Sequence, residues 1–283
     1  MKIWLCAVNS LTGEPGGGVR TIIEMVARTR LDCVIGSTAG MRQSVAEAAW
    51  HARSRKAFGS TLSNQPLMQA VLADLQLESE AATWTMMHLA AAHDDETADG
   101  KAFRRIATAL AKYWICKRGP GHAYEALECL GGNGYVEDFP LARRYREQPV
   151  LAVWEGSGNV IVLDVLRAMG KDPRSAKQLL IFFESALGQN AIYDAHYQSL
   201  ATETRQALAA VTSQDASAGA QLQQRGRVLV EKLAVMLQAA VLLWHAPAEI
   251  TDAFILARLS DQRGMQYGAL PDGVATDALI ARA

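Results

Sequence analysis

One acidic residue of this sequence stands in surroundings suited to proton transfer. Glu155 lies between Trp154 and Gly156 in the stretch Trp-Glu-Gly-Ser-Gly-Asn. A neighbouring indole partly removes a carboxylate from water, which suits the carboxylate to act as a general base. The glycines let a ligand approach the backbone closely, and the serine and asparagine offer uncharged hydrogen bonds. The alternative is a helix start, in which Glu155 is a first-turn acid beside the helix dipole.

The composition indicates a globular protein without a strong charge preference. The chain has 283 residues, 50% hydrophobic and 20% charged, and its 28 Lys and Arg residues face 29 Asp and Glu residues. This balance predicts neither a nucleic-acid partner nor a membrane partner. The four cysteines have no CxxC spacing and the six histidines no ligand spacing, so we expect no metal site. The N-terminal apolar run is too short for a secretory signal, and no stretch comes near the roughly 20 apolar residues of a membrane span, so we expect a cytoplasmic protein.

Most of the chain has the periodicity of amphipathic helices. Residues 2–8 predict one short strand that ends in a glycine-rich turn. Three long helices follow, the third broken at Gly119-Pro120, and a fourth runs from a glycine-rich loop through about Met169. Lys171-Asp172-Pro173 is the best candidate boundary. The predicted helices span residues 19–57, 67–89, 101–130 and 141–169, and after the boundary 176–187, 191–211, 221–244 and 248–261.

Five separate segments match one protein family, and they occur in the family's order. They are Gly13–Gly18, Arg28–Arg30, Arg55–Gly59, Leu130–Tyr135 with the arginines that follow it, and Trp154–Ser157. Together they resemble the C-terminal half of the acyl-CoA dehydrogenase family of flavoproteins. The resemblance implies an all-α fold, the C-terminal helical bundle of that family, with a remnant β-strand at the N-terminus and an additional C-terminal helical region. The divisions that it implies are residues 1–18, 19–170 and 171–283.

The resemblance also implies a reaction. Members of the family remove an α-proton and a β-hydride from an acyl-CoA thioester and pass the hydride to FAD. By resemblance the base is Glu155, because the position that carries the base in other branches is Thr29 here, which cannot serve. Arg30 and Gly156 match substrate-binding positions of the acyl-CoA site. The alternative for Arg30 is a surface arginine at a helix start.

A set of FAD contacts follows from the same resemblance. The matching positions are Arg55, Phe58, Gln65, Glu128, Gly131, Gly132, Trp154, Ser157, Gly158 and Asn159. Arg55 would reach the FAD pyrophosphate of a neighbouring subunit, a bidentate contact that suits a guanidinium. Its alternative is a helix C-terminal arginine followed by a glycine cap. The sequence departs from the family pattern at Pro66, where glutamine is usual, and at Glu128, whose carboxylate would repel a pyrophosphate unless it is turned away or paired.

Within the family the chain resembles the alkylation-response (AidB-like) branch. The resemblance rests on the Trp154–Asn159 loop, on Glu128 ahead of the glycine pair, and on the long helical extension after residue 170. It implies a tetrameric FAD protein with weak dehydrogenase activity. It also leaves an alternative open, a DNA-protecting flavoprotein with vestigial dehydrogenase activity, in which Arg167 and Arg263 contact double-stranded DNA. Residues 171–283 carry ten Lys and Arg against eleven Asp and Glu, which argues against strong DNA affinity.

Two further expectations concern the rest of the chain. The family normally has an N-terminal helical domain and a β-domain that holds the flavin ring, so we expect a truncated chain that alone does not hold FAD in a reactive geometry. A purely structural oligomerisation bundle is the third possible function. Outside the motifs, we interpret Arg104-Arg105 and Lys117-Arg118 as solvated or interface faces.

Overall fold

The computed structural model describes Gly16, residues 18–213 and residues 215–283. This part of the chain is almost entirely helical, which confirms the all-α prediction, and the predicted strand at 2–8 lies outside it. The strands in the described residues are the two-residue β1 (Lys56–Ala57) and β2 (Ser60–Thr61), which pair antiparallel. The helices are α1 (Gly18–Ser54), α2 (Pro66–Ala92), α3 (Ala98–Cys129), α4 (Gly132–Tyr135), α5 (Pro140–Val153), α6 (Gly158–Lys171), α7 (Pro173–Glu184), α8 (Ala191–Thr212), α9 (Ala216–His245), α10 (Ala248–Leu259) and α11 (Thr276–Ile280).

Three long helices form the central bundle. α1, α2 and α3 contain 37, 27 and 32 residues, and each packs against the other two. The short connection between α2 and α3 makes them antiparallel neighbours, as in other helical bundles. α3 begins at its N-cap Thr97, whose hydroxyl accepts a hydrogen bond from the Gly100 N–H.

The predicted break in α3 at Gly119-Pro120 is wrong, because the helix continues through both residues. Proline removes one helical hydrogen bond and usually kinks a helix. Here Cys116 and His122, on either side, are fully buried, and their packing outweighs that loss. Gly119 instead lets α5 approach α3, since a Cβ there would lie 2.3 Å from Oε1 of the buried Gln148.

A turn divides the predicted fourth helix into α5 and α6, so the prediction of one continuous helix to about Met169 is wrong. Glu155 and Gly156 have φ values of 57° and 112°. These left-handed values are incompatible with a right-handed helix. α5 therefore ends at Val153 and α6 begins at Gly158. The turn between them carries the residues with which the sequence analysis began.

The helices after residue 171 pack on the same core as the bundle. One hydrophobic cluster contains Leu77 of α2, Leu110 of α3, Leu237 of α9 and Phe254 of α10, all fully buried. A helix junction lies at Asp172, between α6 and α7. The bundle and the C-terminal helices therefore share a continuous interior.

Two segments, 140–171 and Ala216–His245, are long and apolar enough to cross a membrane by length and composition alone. This differs from the expectation that no stretch comes near that limit. The second segment is α9, and 67% of its most apolar window is buried inside the protein. The first consists of α5 and α6, which the turn at 154–157 separates. Both are therefore weak evidence for a membrane span.

A buried ionic cluster joins α10 to α2 and α3. Arg258 Nη2 donates to Asp74 Oδ1 at 2.5 Å and to Glu78 Oε2 at 3.0 Å, and Arg118 Nη2 donates to the same Glu78 oxygen at 3.0 Å. Burial alone would raise the pKa of Glu78, but Arg118 and Arg258 lower it to about 2. Arg118 therefore belongs to the interior, and its interpretation as part of a solvated or interface face is wrong.

Candidate active site

A buried lysine holds the turn that carries Glu155. Lys112 of α3 is 1% exposed. Its Nζ donates hydrogen bonds to the carbonyl oxygens of Ala152 at 3.0 Å and of Gly156 at 2.5 Å. These two carbonyls flank Glu155, whose φ of 57° is one that residues other than glycine rarely adopt. Such a conformation persists only where the surrounding structure determines it strongly.

Arg30 contacts the same turn from α1. Its Nε donates to the Glu155 carbonyl oxygen at 3.1 Å, and its Nη1 donates to Asp164 Oδ2 at 2.5 Å. The side chain of Arg30 is 11% exposed, so the alternative of a surface arginine is wrong. Asp164 also receives a bidentate pair from Arg105, at 2.7 and 2.9 Å. Burial alone would raise the pKa of Asp164, but Arg105 and Arg30 hold it below its usual range. Arg30 thus contacts the backbone of Glu155, and both Arg30 and Arg105 pair with the carboxylate of Asp164.

The side chains of the turn face two environments. Trp154 is 60% exposed, whereas Glu155 is half-buried. Burial raises the pKa of the Cys33 thiol beneath the turn, the Lys112 charge lowers it, and the Glu155 charge raises it further. Burial also lowers the pKa of Lys112. The carboxylate of Glu155 therefore stands at the border between the α1–α3 interior and solvent, next to an exposed indole.

A basic depression of about 470 Å³ opens beside Arg30. Among the described residues, Glu96 is the only carboxylate that lines this depression. The buried Thr108 also lines it, and the Oγ1 atom of Thr108 has no hydrogen-bond partner in the described part of the chain. Arg105 is ion-paired with Asp164, but its side chain is 35% exposed, so its interpretation as part of a solvated or interface face stays a prediction. The cationic side chains that line the depression are Arg28, Arg30, Lys101, Arg104 and Arg105.

The residues after the turn start α6 and meet the C-terminal region. Ser157 is exposed at the N-cap of α6 and makes no side-chain capping bond. Asn159 Oδ1 accepts a hydrogen bond from Arg227 Nε of α9 at 2.9 Å. A Cβ at Gly158 would lie 3.0 Å from Cε of Lys117 and 3.4 Å from Nη2 of Arg227. Two cations therefore stand at the start of α6, and α9 already engages Asn159.

The β1–β2 hairpin displays Arg55 and Phe58 to solvent. Phe58 has a φ of 54° and is 94% exposed, and Arg55 is exposed just before β1. Gln65 is half-buried, and its Nε2 donates to the Ala57 carbonyl oxygen at 3.1 Å and to Ser60 Oγ at 3.3 Å. Gln65 therefore stabilises the hairpin from within, while the arginine and the phenylalanine are available to a ligand or a partner.

The glycine pair after α3 leaves its backbone open. Gly131 has a φ of 58°, and a Cβ at Gly131 or Gly132 would meet nothing within 4 Å. A flat ligand can therefore approach this backbone closely. Glu128 is exposed one turn earlier, and its hydrogen bond and charge raise the pKa of the Tyr124 hydroxyl. A tyrosine hydroxyl is neutral, so the Glu128 carboxylate keeps its charge, and the repulsion of a pyrophosphate that the sequence led us to expect stays a prediction.

The predicted site residues fall into two groups along α3. Lys112 lies beneath the first group, and Cys129 ends the helix beside the second. They are 17 positions apart, which at about 1.5 Å per residue is about 25 Å. The hairpin belongs with the second group because Ala52 near the end of α1 and Leu130 after α3 pack in one cluster. The first group is Arg30, Trp154, Glu155, Gly156, Ser157, Gly158 and Asn159, and the second is Arg55, Phe58, Gln65, Glu128, Gly131 and Gly132.

Arg167 and Arg263 do not form one basic surface. Arg167 is 61% exposed, 3.8 Å from Asp164, and lines a depression formed by α6, α8 and α9. Arg263 lines a different depression, formed by α8, α9 and α10. DNA contact at these arginines stays a prediction. In the described parts of the chain, no group of three or more His, Cys, Asp or Glu side chains could hold a metal ion.

Sequence reasoning missed Lys112 and Asp164. Each is a lone charged residue in an apolar helical stretch, Ala107–Ile115 for the lysine and Val160–Leu166 for the aspartate. A buried charge requires partners, so these interruptions of apolar runs were a usable signal. The carbonyl partners of Lys112 are at least 40 positions away from it along the chain. The arginine partners of Asp164, which are Arg30 and Arg105, are at least 59 positions away from it. No local sequence pattern indicates partners at such distances.

Comparisons with known proteins bear on the family and the fold of the chain. The chain matches the family model described as "Acyl-CoA dehydrogenase, C-terminal domain" over residues 16–170. It is 35% identical over 276 residues to AidB of Escherichia coli (strain K12), a match that covers 97% of this chain and 48% of AidB. The chain thus spans about half the length of that relative.

Two solved structures have a similar fold. One is Caenorhabditis elegans ACDH-11 in complex with C11-CoA, with a TM-score of 0.76 and 21% identity over 95% of this chain and 48% of that one. The other is an acyl-CoA dehydrogenase from Bacillus anthracis complexed with FAD, with a TM-score of 0.64 and 17% identity over 86% of this chain and 47% of that one. At these identities the two structures show the fold alone.

Proposed function

The chain belongs to the acyl-CoA dehydrogenase family, and on that premise we propose that it supplies the base of an FAD-dependent acyl-CoA dehydrogenase, together with parts of the FAD and acyl-CoA sites. The observation that carries the proposal is the turn at 154–157. It holds one half-buried carboxylate, Glu155, in a left-handed conformation next to an exposed indole, and its backbone contacts Arg30, which lines a basic depression. A base for an acyl thioester needs this combination of a positioned carboxylate, an apolar neighbour and a place for the coenzyme.

In this proposal Glu155 takes the α-proton of the thioester. Lys112 and Arg30 hold the backbone on either side of it, so that the carboxylate does not have to be ordered when the substrate binds. Trp154 covers the reacting end of the acyl chain and excludes water from it. FAD, when bound, supplies the acceptor for the β-hydride.

The basic depression suits the phosphate groups of coenzyme A. Arg28, Lys101 and Arg104 line it from two helices, and guanidinium and ammonium groups are the usual protein partners of phosphates. Arg30 lines the same depression and touches the Glu155 backbone. A thioester bound there would therefore extend from the phosphates toward the turn.

The FAD-binding residues support an assembly of several copies. Trp154, Ser157 and the start of α6 form one set, and Arg55, Phe58 and the open glycine pair form another, about 25 Å away along α3 at 1.5 Å per residue. We assign the two sets to the FAD molecules of different copies, in the homotetramer that the resemblance implies. No contact of the described residues favours the DNA-protecting alternative, since Arg167 and Arg263 line separate depressions.

The test of the base compares Glu155→Gln with Glu147→Gln, a matched control in an exposed position of α5. Because we expect this chain alone not to hold FAD in a reactive geometry, each variant is joined to the β-domain that the family uses for the flavin ring and loaded with FAD. This FAD-loaded protein is assayed for oxidation of straight-chain and branched acyl-CoA thioesters with an artificial electron acceptor. We expect Glu155→Gln to lower kcat by about a thousandfold, within the range by which loss of a general base slows a reaction, and Glu147→Gln to change it less than twofold. Turnover that survives Glu155→Gln would place the base elsewhere.

The coenzyme site has its own test, which does not require flavin. Binding of a nonoxidisable acyl-CoA analogue is titrated by calorimetry to the protein and to the Arg104→Ala variant. Loss of a charge-assisted contact to phosphate weakens binding by about tenfold or more, and the affinity of the unchanged protein should fall as salt rises. Equal affinity in both proteins would exclude the depression as the phosphate site.

A further inference from the structure

Lys112 is a buried cation that the reaction itself does not use. It is 1% exposed, and the neighbouring α3 positions Leu110, Ala111 and Ile115 are apolar and buried. Its hydrogen-bond acceptors in the described residues are the carbonyl oxygens of Ala152 and Gly156. A buried ammonium is expensive to desolvate and persists where it has such partners. Its presence therefore requires a reason that apolar packing does not supply.

The two acceptors are placed on either side of the residue proposed as the base. Ala152 lies in the last turn of α5, and Gly156 lies just before α6. Between them the backbone reverses its handedness at Glu155 and Gly156, with φ values of 57° and 112°. The N–H groups of residues 155–157 have no backbone acceptor in the described part of the chain. The Lys112 ammonium thus donates hydrogen bonds to carbonyl oxygens at the point where the backbone hydrogen bonds of the helices are interrupted.

We propose that Lys112 is the positioning residue for Glu155, acting by clamping the carbonyls of Ala152 and Gly156 so that the left-handed turn aims the carboxylate. This inference rests on the proposed function, because aiming matters for catalysis only if Glu155 is the base. Arg30 assists from the other side through the Glu155 carbonyl. Lys112 touches neither substrate nor cofactor in this role, so its effect is indirect.

The contrasting view is that Lys112 stabilises the fold as a whole. The two views differ in where its loss is felt. A clamp affects the turn at 154–157 and leaves other exposed segments unchanged, whereas a general stabilising role loosens all of them together. The bond after Glu155 itself provides a local probe, because a glutamyl endopeptidase cleaves after glutamate and requires local opening of the chain.

The experiment is limited proteolysis of the folded protein with glutamyl endopeptidase, with mass spectrometry of the fragments. The ratio of cleavage after Glu155 to cleavage after Glu137, an exposed glutamate between α4 and α5, is measured for each variant. We expect the ratio to rise about tenfold in Lys112→Met. In Lys112→Gln, which keeps a donor but is too short to reach both carbonyls, we expect about a threefold rise. Lys177→Met, an exposed lysine of α7, should leave the ratio unchanged.

Two results would overturn the proposal. One is no change in cleavage after either glutamate in Lys112→Met, or in Lys112→Gln if the methionine variant does not fold. The other is equal acceleration after Glu155 and Glu137, which leaves the ratio unchanged and would show a general stabilising role. The proteolysis requires no flavin and no substrate.

Kinetics of the FAD-loaded protein separate this proposal from the proposed function. A displacement of a catalytic group by about 1 Å costs on the order of a hundredfold in rate. We therefore expect Lys112→Met to lower kcat about a hundredfold with KM changed less than threefold, and Lys112→Gln to restore part of kcat. If Glu155→Gln retains turnover while Lys112→Met still raises the cleavage ratio, the proposed base fails and the clamp stands. If Glu155→Gln abolishes turnover while Lys112→Met changes neither kcat nor the ratio, the clamp fails and the base stands.

Discussion

Removal of Arg258 should cost the protein several kcal/mol, because it strands a buried carboxylate. In the folded protein Arg258 Nη2 donates to Asp74 at 2.5 Å and to Glu78 at 3.0 Å. In the Arg258→Met variant Glu78 keeps its bond from Arg118, but Asp74, 2% exposed, keeps among the described residues only the Gly268 N–H at 2.9 Å. Removing one partner of a buried ion pair typically costs about 3 to 5 kcal/mol. We expect a loss of that size in the free energy of unfolding.

The assay is urea unfolding followed by far-UV circular dichroism. With an m value of about 2 to 3 kcal/mol per molar urea, the midpoint should fall by about 1 to 2.5 M. The double variant Arg258→Met, Asp74→Asn should recover about half of the loss, because the buried side chain at position 74 is then neutral. Arg263→Met, an exposed arginine of the same segment, should shift the midpoint by less than about 0.3 M. No recovery in the double variant, or an equal loss in Arg263→Met, would refute the assignment of the cost to a stranded charge.

Two further predictions concern pH and packing. Burial lowers the pKa of the fully buried His122 to about 4 from an ordinary 6.5, so its stabilising contribution is complete above pH 6.5 and is lost as pH falls toward 4. The difference between these two pKa values corresponds to about 3 kcal/mol in the free energy of unfolding. Between pH 7 and pH 4 the urea midpoint should therefore decline less in His122→Gln than in the unchanged protein. An equal decline in both proteins would contradict this prediction. In Gly134→Ala the new Cβ would lie 2.0 Å from the Leu127 carbonyl oxygen, whereas in Gly132→Ala it meets nothing within 4 Å. The first should lower the free energy of unfolding by about 1 to 3 kcal/mol and the second by less than about 0.5, and comparable losses in both would contradict the contact.

Local pattern was sufficient for four of the helices but not for the division of the fourth predicted helix at residues 154–157. The apolar stripes of α2, α8, α9 and α10 lie on helices within a few residues of the predicted bounds, because burial of one face selects that spacing. The motif around Glu155 drew attention to this stretch. It could not indicate that a turn there ends one helix and begins another, since the side chains that contact the turn, Lys112 and Arg30, come from other helices.

Two local rules were insufficient where long-range packing contributed. Pro120 would end an isolated helix, yet α3 continues because its buried face is continuous on both sides. Arg105 looks like a surface residue in a charged pair of arginines, yet it pairs with Asp164, 59 positions further along the chain. Such partners depend on how α3 and α6 approach each other, which a single sequence does not specify.

The interior shared by α2, α3, α9 and α10 has a practical consequence for anyone who shortens this protein. The match to the family model ends at residue 170, but the folding unit does not, because Leu237 and Phe254 fill the same interior as Leu77 and Leu110. A polypeptide cut to the homologous segment would leave the apolar flanks of α2 and α3 in water, along with the carboxylates that Arg258 neutralises. The smallest piece of this protein that keeps its interior covered is therefore larger than the segment that the family model matches.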